Sequence, residues 1–137
     1  MEPDKATATV AKSARLLDAG RLWRALGYSI SGFRQAYATE SAFRQEAVAV
    51  AVLLPLSLWL PVSRLEHLAL VASLVFVLVV ELLNSAVEAA IDRISPDHHE
   101  LSGRAKDFGS AAVLLSLLLA VTTWLTVISP LLFGCEA

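Results

Sequence analysis

Residues 68–80 read LALVASLVFVLVV, and Ser73 is the one polar side chain among them. Two more runs share this character: AVAVAVLLPLSLWLPV at Ala47–Val62, and AAVLLSLLLAVTTWLTVISPLLF at Ala111–Phe133. Hydrocarbon offers no water to backbone N–H and C=O groups, so a segment crossing it must satisfy them internally, and an α-helix does so within one segment. A span needs about 20 residues. The three runs therefore predict transmembrane helices over about 44–62, 68–91 and 108–133, with Pro55 and Pro61 disturbing the first.

Composition agrees. The chain has 137 residues, which suits one domain, and 56% of them are hydrophobic against 18% charged. A net charge of −2 excludes a basic nucleic-acid surface. The single cysteine, Cys135, cannot form an internal disulfide. No continuous apolar core opens the chain, so a secretory leader is not expected. Trp59 and Trp124 read as members of an interfacial aromatic belt.

Charge placement sets an orientation. Lys5, Lys12, Arg15, Arg21, Arg24, Arg34 and Arg44 gather at the N-terminal side of the first span. Arg93, Arg104 and Lys106 lie between the second and third spans, and Arg64 alone sits in the outer link. The positive-inside rule puts the N-terminus and the 93–107 loop in the cytoplasm, and the C-terminus on the periplasmic side.

Residues 1–12 show no periodic apolar face and read as a disordered extension; residues 13–137 form the membrane domain. From 13 to about 38, Leu16, Leu17, Leu22, Trp23, Leu26, Ile30, Phe33 and Tyr37 recur at three- and four-residue spacing among arginines, which predicts an amphipathic interfacial helix. Ser95-Pro96-Asp97 is turn chemistry that should end the second span, and Ser102-Gly103 is expected to open the third. The fold class is all-α integral membrane: an interfacial helix plus three transmembrane helices in an oligomeric bundle.

The second run does not end cleanly. VELLNSAVEAAIDR follows it at 80–93. With Glu81 at zero and roughly 100° per residue, Asn84, Ser85, Glu88 and Asp92 fall near −60°, +40°, −20° and +20°, so all five share one face. A rise of ~1.5 Å per residue puts Glu81 ~20 Å into a core ~30 Å thick, where a charge costs about 2.5–3.5 kcal/mol. One reading makes the stripe interhelical glue. The other makes it a site where carboxylates bind a hard divalent cation such as Mg²⁺ and take a proton at the depth of a lipid's polar end. Three helices cannot surround five polar side chains, so a second subunit should cover them.

Phosphoryl chemistry needs cations, a metal and a carboxylate to orient or deprotonate the attacking hydroxyl. Arg104, Lys106 and Asp107 at the mouth of the third span, and Glu40, Arg44 and Glu46 at that of the first, supply ionic groups on the same membrane face. No G-x-x-x-x-G-K-[ST] loop and no Gly-rich, HRD and DFG set is present, so a nucleotide site here is built another way. His98 and His99 lack the further ligands of a zinc site.

The combination E-x-x-N-S-A-x-E-x-x-x-D-R (Glu81–Arg93), HELSGRAKD-x-GSAAV (His99–Val113) and AFRQE (Ala42–Glu46) resembles the prokaryotic diacylglycerol kinase family, and the likeness runs from about Arg21 to Trp124. The complete HELSGRAKD run is similar to the Gram-negative branch. The resemblance implies a homotrimeric inner-membrane enzyme with sites shared between subunits, using ATP with Mg²⁺ to phosphorylate diacylglycerol to phosphatidic acid. It implies Glu81 as general base, Glu40 and Glu88 holding metal and nucleotide, and Asn84, Asp92 and Gly103 in support. ATP contacts would come from Arg21, Tyr28, Glu40, Glu88, Asp97, His98, His99, Lys106 and Asp107. Membrane lipid and diacylglycerol would meet Arg21, Ala25, Leu26, Gly27, Tyr28, Ser29, Ile30, Arg34, Gln35, Ala36 and Tyr37. They would also meet Ala42, Phe43, Arg44, Gln45, Glu46, Glu81 and Ser110. The chain departs from the family pattern at Asp97, where the pattern has Glu, and at Ile30, where it has Trp. Rival readings are a polyprenol (undecaprenol) kinase with the same machinery, an ion-conducting oligomer and an assembly subunit without chemistry.

Overall fold

The computed structural model describes residues 19–94 and 99–134. The expected disorder over 1–12, the helix start over 13–18, the turn at Ser95-Pro96-Asp97 and the nucleotide contacts of Asp97 and His98 fall outside the described residues, as does Cys135. The described residues form four helices: α1 (Ala19–Thr39), α2 (Ser41–Trp59), α3 (Arg64–Ile94) and α4 (Glu100–Phe133), with no strand among them. By its contacts the chain divides between Gln35 and Ala36 into two compact units.

In the first unit α1 carries Leu22, Leu26, Ile30 and Phe33 at four-, four- and three-residue steps. Its polar side chains bond locally: Ser29 Oγ donates to the Ala25 carbonyl at 3.1 Å, and Gln35 Nε2 to Ser31 Oγ at 3.0 Å.

The second unit starts at the end of α1. A single extended residue, Glu40 (φ −97°, ψ 116°), separates α1 from α2. Arg44 Nη1 reaches back across this elbow and donates to the Tyr37 and Ala38 carbonyls, 3.2 Å each. Those are last-turn carbonyls of α1 that lack intrahelical donors, and a cation there also opposes the helix dipole.

Prolines and caps fix the remaining ends. Leu60 is extended (φ −70°, ψ 135°) ahead of Pro61, so α2 stops at Trp59. Ser63 and Glu66 form a capping box on α3. The Ser63 N–H donates to Glu66 Oε2 at 2.7 Å and the Glu66 N–H to Ser63 Oγ at 3.3 Å. The α4 helix opens earlier than Ser102-Gly103 had predicted: His99 is its N-cap, with Nδ1 accepting the Leu101 N–H at 3.2 Å. At the other end Gly134 adopts φ 63° and donates its N–H to the Pro130 carbonyl at 3.0 Å, a left-handed turn that glycine allows without strain.

Helices α3 and α4 pack against each other as an antiparallel hairpin, and α2 packs on α3. The core lies toward the α2–α3 link: Leu70 and Leu74 meet Trp124 and Val127, flanked by Val50, Leu53, Leu60, Val62 and Ile128. Trp124 is therefore a core residue and not a belt residue, 8% exposed against 88% for Trp59. In α4 the hydroxyls of Ser116, Thr122 and Thr123 return to carbonyls three or four residues back, which quiets their polarity within the helix. Helices α2, α3 and α4 are each long and apolar enough to cross a membrane, yet only 11–28% of their most apolar stretches is buried within one chain. The remaining apolar faces fit lipid or other chains.

Candidate active site

The stripe on α3 meets the start of α2 and the N-terminal half of α4 around a cavity of about 330 Å³. Glu40, Ser41 and Ala42 enter from the α2 side, Glu81, Asn84 and Glu88 from α3, and Ser110 and Val113 from α4. Helical period decides the α3 set, since steps of three and four residues return to the same face. The start of α2 supplies its residues because the elbow at Glu40 turns the chain over the stripe.

Glu81 is the innermost of these carboxylates, 3% exposed, and one chain alone buries it. A second subunit is thus not needed to cover Glu81, contrary to the expectation from helix thickness. The chain's own α2 start does part of that work. Asn84 and Glu88 are half-buried and joined: Asn84 Nδ2 donates to Glu88 Oε1 at 3.0 Å. Asn84 Oδ1 is buried without a hydrogen-bond partner.

Three carboxylates on one cavity repel one another, and a divalent cation is one means of holding them together ionised. Among the described residues no three His, Cys, Asp or Glu side chains converge as a closed ligand set. Glu40 and Glu88 instead fit the donor set of Mg²⁺, which takes one or two carboxylates and completes its shell with water and phosphate oxygens.

At the linked end of the hairpin Lys106 Nζ donates to Asp92 Oδ1 at 2.6 Å, an exposed ion pair joining α3 to α4. On the inner side lies a second, apolar cavity of about 280 Å³, lined by Glu46, Leu53, Leu74, Val77, Leu117 and Trp124 among others. Glu46 Oε2 and Trp124 Nε1 are buried there without partners.

The family model described as prokaryotic diacylglycerol kinase matches residues 27–128. The chain belongs to the prokaryotic diacylglycerol kinase family. It is 51% identical over 104 residues to a diacylglycerol kinase of Escherichia coli (strain K12), covering 76% of this chain and 85% of that one. With the diacylglycerol kinase of Pseudomonas aeruginosa it shares 45% over 108 residues, 79% and 88% of the two chains. With that of Helicobacter pylori (strain ATCC 700392 / 26695) it shares 38% over 104 residues, 76% and 81%. The chain is accordingly a kinase.

In this kinase the cavity gathers six of the residues singled out from sequence: Glu40, Ala42, Glu81, Asn84, Glu88 and Ser110. Others lie elsewhere in the same unit. Phe43 is buried at 4%, Arg44 binds the α1 carbonyls, and Glu46 faces the apolar cavity. Ala36 is buried, while Tyr37 and Gln45 are exposed. Lys106 pairs with Asp92, Asp107 is exposed, His99 caps α4, and nothing crowds Gly103. Arg21, the 25–30 segment, Arg34 and Gln35 belong to α1 in the first unit. Sequence reasoning did not name Ser41 or Val113 as lining residues. Ser41 follows Glu40 directly, and Val113 stands one turn after Ser110, so helical spacing from the residues already named would have found both.

Proposed function

We propose that this kinase transfers the γ-phosphoryl group of ATP to the free hydroxyl of 1,2-diacylglycerol, giving phosphatidic acid and ADP. The observation that carries this reading is the cavity where Glu40, Glu81 and Glu88 meet, in a chain of this family. The relatives' names supply the lipid class: each is a diacylglycerol kinase.

Glu81 is the general base. As the hydroxyl oxygen forms its bond to the γ-phosphorus, the bond from that phosphorus to the β–γ bridging oxygen breaks, and the hydroxyl proton passes to the Glu81 carboxylate. Its burial supports the role, because a carboxylate held away from bulk water is a stronger proton acceptor. Glu40 and Glu88 hold the divalent cation, Mg²⁺ in this reading, and Asn84 fixes Glu88. The cation would neutralise charge on the phosphate oxygens.

Arg21, Tyr28, Asp97, His98, His99, Lys106 and Asp107 contact the nucleotide. Residues 25–30, Arg34–Tyr37, Ala42–Glu46 and Ser110 contact the lipid, with α1 lying in the interface. The enzyme is a homotrimer of the bacterial inner membrane, its N-terminus cytoplasmic and its C-terminus periplasmic. Excess Lys and Arg at one end supports that orientation, and the uncovered apolar faces support the oligomer.

The test is ATP-dependent phosphorylation of dioleoylglycerol and of undecaprenol in mixed micelles, with Mg²⁺ or with EDTA. Phosphatidic acid formed with Mg²⁺ and abolished by EDTA is the expected result. Product from undecaprenol alone would move the substrate to polyprenols, and no transfer to either lipid would overturn the reading.

A further inference from the structure

Gly109 stands inside α4, in the third turn from its start, where glycine is a worse helix former than alanine. What it faces explains why alanine would fail there. A Cβ built on Gly109 would collide with Asn84 Oδ1 and lie 3.1 Å from Asn84 Cγ and 3.8 Å from Asn84 Cβ. The whole Asn84 side chain therefore rests on the bare backbone of Gly109. Gly103, on the same helix, is different: a Cβ added there meets open space.

Asn84 has little freedom to step aside. Its Nδ2 is committed to Glu88 Oε1 at 3.0 Å, and its Oδ1 is buried. A side-chain torsion large enough to clear a methyl group on Gly109 would carry Nδ2 away from Glu88. Glu88 would then lose the neutral donor that fixes the direction of its carboxylate within the cavity.

We propose that Gly109 is a positioning residue for Glu88, acting through Asn84: the missing side chain seats the Asn84 carboxamide against α4, and from that seat Asn84 aims the Glu88 carboxylate into the cavity. The functional half of this proposal rests on the reading of Glu88 as a holder of the metal and nucleotide. The geometric half does not.

The experiment pairs two readouts on Gly109→Ala, Asn84→Ala and the double variant, with the full chain in detergent micelles. Thermal unfolding reads the geometry without turnover. Gly109→Ala is expected to lower the melting temperature while Asn84 is present and to leave it level or raise it in the Asn84→Ala background, where the space is free. Gly103→Ala reports the gain in helix propensity alone. Kinetics read the positioning. Gly109→Ala should raise the Mg²⁺ concentration for half-maximal rate roughly tenfold, the lower end of what losing a group that orients a metal-bound carboxylate costs, with the KM for diacylglycerol unmoved.

Both results together support the proposal. Stability coupling without the Mg²⁺ shift would overturn positioning and leave packing alone. A Mg²⁺ shift without coupling would overturn the route through Asn84. A native enzyme indifferent to Mg²⁺ would defeat the reading of Glu88 instead, and the thermal data would still decide whether Gly109 seats Asn84.

Discussion

At the scale of single residues, exposure rises along one helix face of α3. Glu81 is nearly sealed, Glu88 is half-buried and tethered, and Asp92 is exposed and paired with Lys106. This gradient suits the proposed roles, because a proton acceptor gains from burial and a metal holder needs a path for phosphate and water. Glu88→Gln keeps the size of the side chain and an oxygen for Asn84 Nδ2 but removes the charge. It is expected to raise the Mg²⁺ half-saturation by about tenfold or more and to leave the KM for diacylglycerol alone. Equal rises in both would contradict a metal-holding role. The Lys106–Asp92 pair is solvent-exposed, and exposed ion pairs contribute little to stability. Asp92→Asn should hence leave the unfolding temperature where it is, checked by a thermal melt.

At the scale of elements, α3 and α4 were legible where they follow one rule and obscure where two rules compete. The apolar runs and the stripe at Glu81, Asn84, Ser85, Glu88 and Asp92 could be read because a helix repeats its faces at fixed period. The start of α4 could not, since histidine is outside the usual N-cap set and Ser102-Gly103 offered a more ordinary opening. Trp124 was misplaced for another reason. Its phase on α4 is set by contact with Leu70 and Leu74 on α3, which hydropathy does not encode. Trp124→Ala is expected to destabilise the chain by about 3 kcal/mol, at the low end for a buried tryptophan, because lipid leaves packing as the main driving force. Trp59→Ala should stay within about 0.5 kcal/mol. Thermal unfolding of both variants in micelles checks the contrast, and equal losses would contradict the burial assignment. Ser63→Ala breaks the capping box and should cost ~1 kcal/mol in the same assay.

At the scale of the molecule, one chain makes a polar cavity but leaves most of its apolar surface uncovered. The sequence led to a second subunit through the exposure of the whole stripe. The elbow at Glu40 lets α2 cover Glu81 from within the chain, so support for the proposed oligomer comes from the outer apolar faces and from the half-buried Asn84, Ser85 and Glu88. Cross-linking in micelles with mass analysis is expected to give three copies, and a monomer that retains full activity would contradict the proposed trimer. The proposed reaction depends on Glu81 as the base. The deciding measurement is phosphatidic acid formation by Glu81→Gln beside the native chain, with the variant shown to be folded and to bind ATP. A loss of roughly 10²–10⁴-fold in rate with ATP binding retained is the expected result. A folded Glu81→Gln that phosphorylates diacylglycerol at the native rate would contradict it.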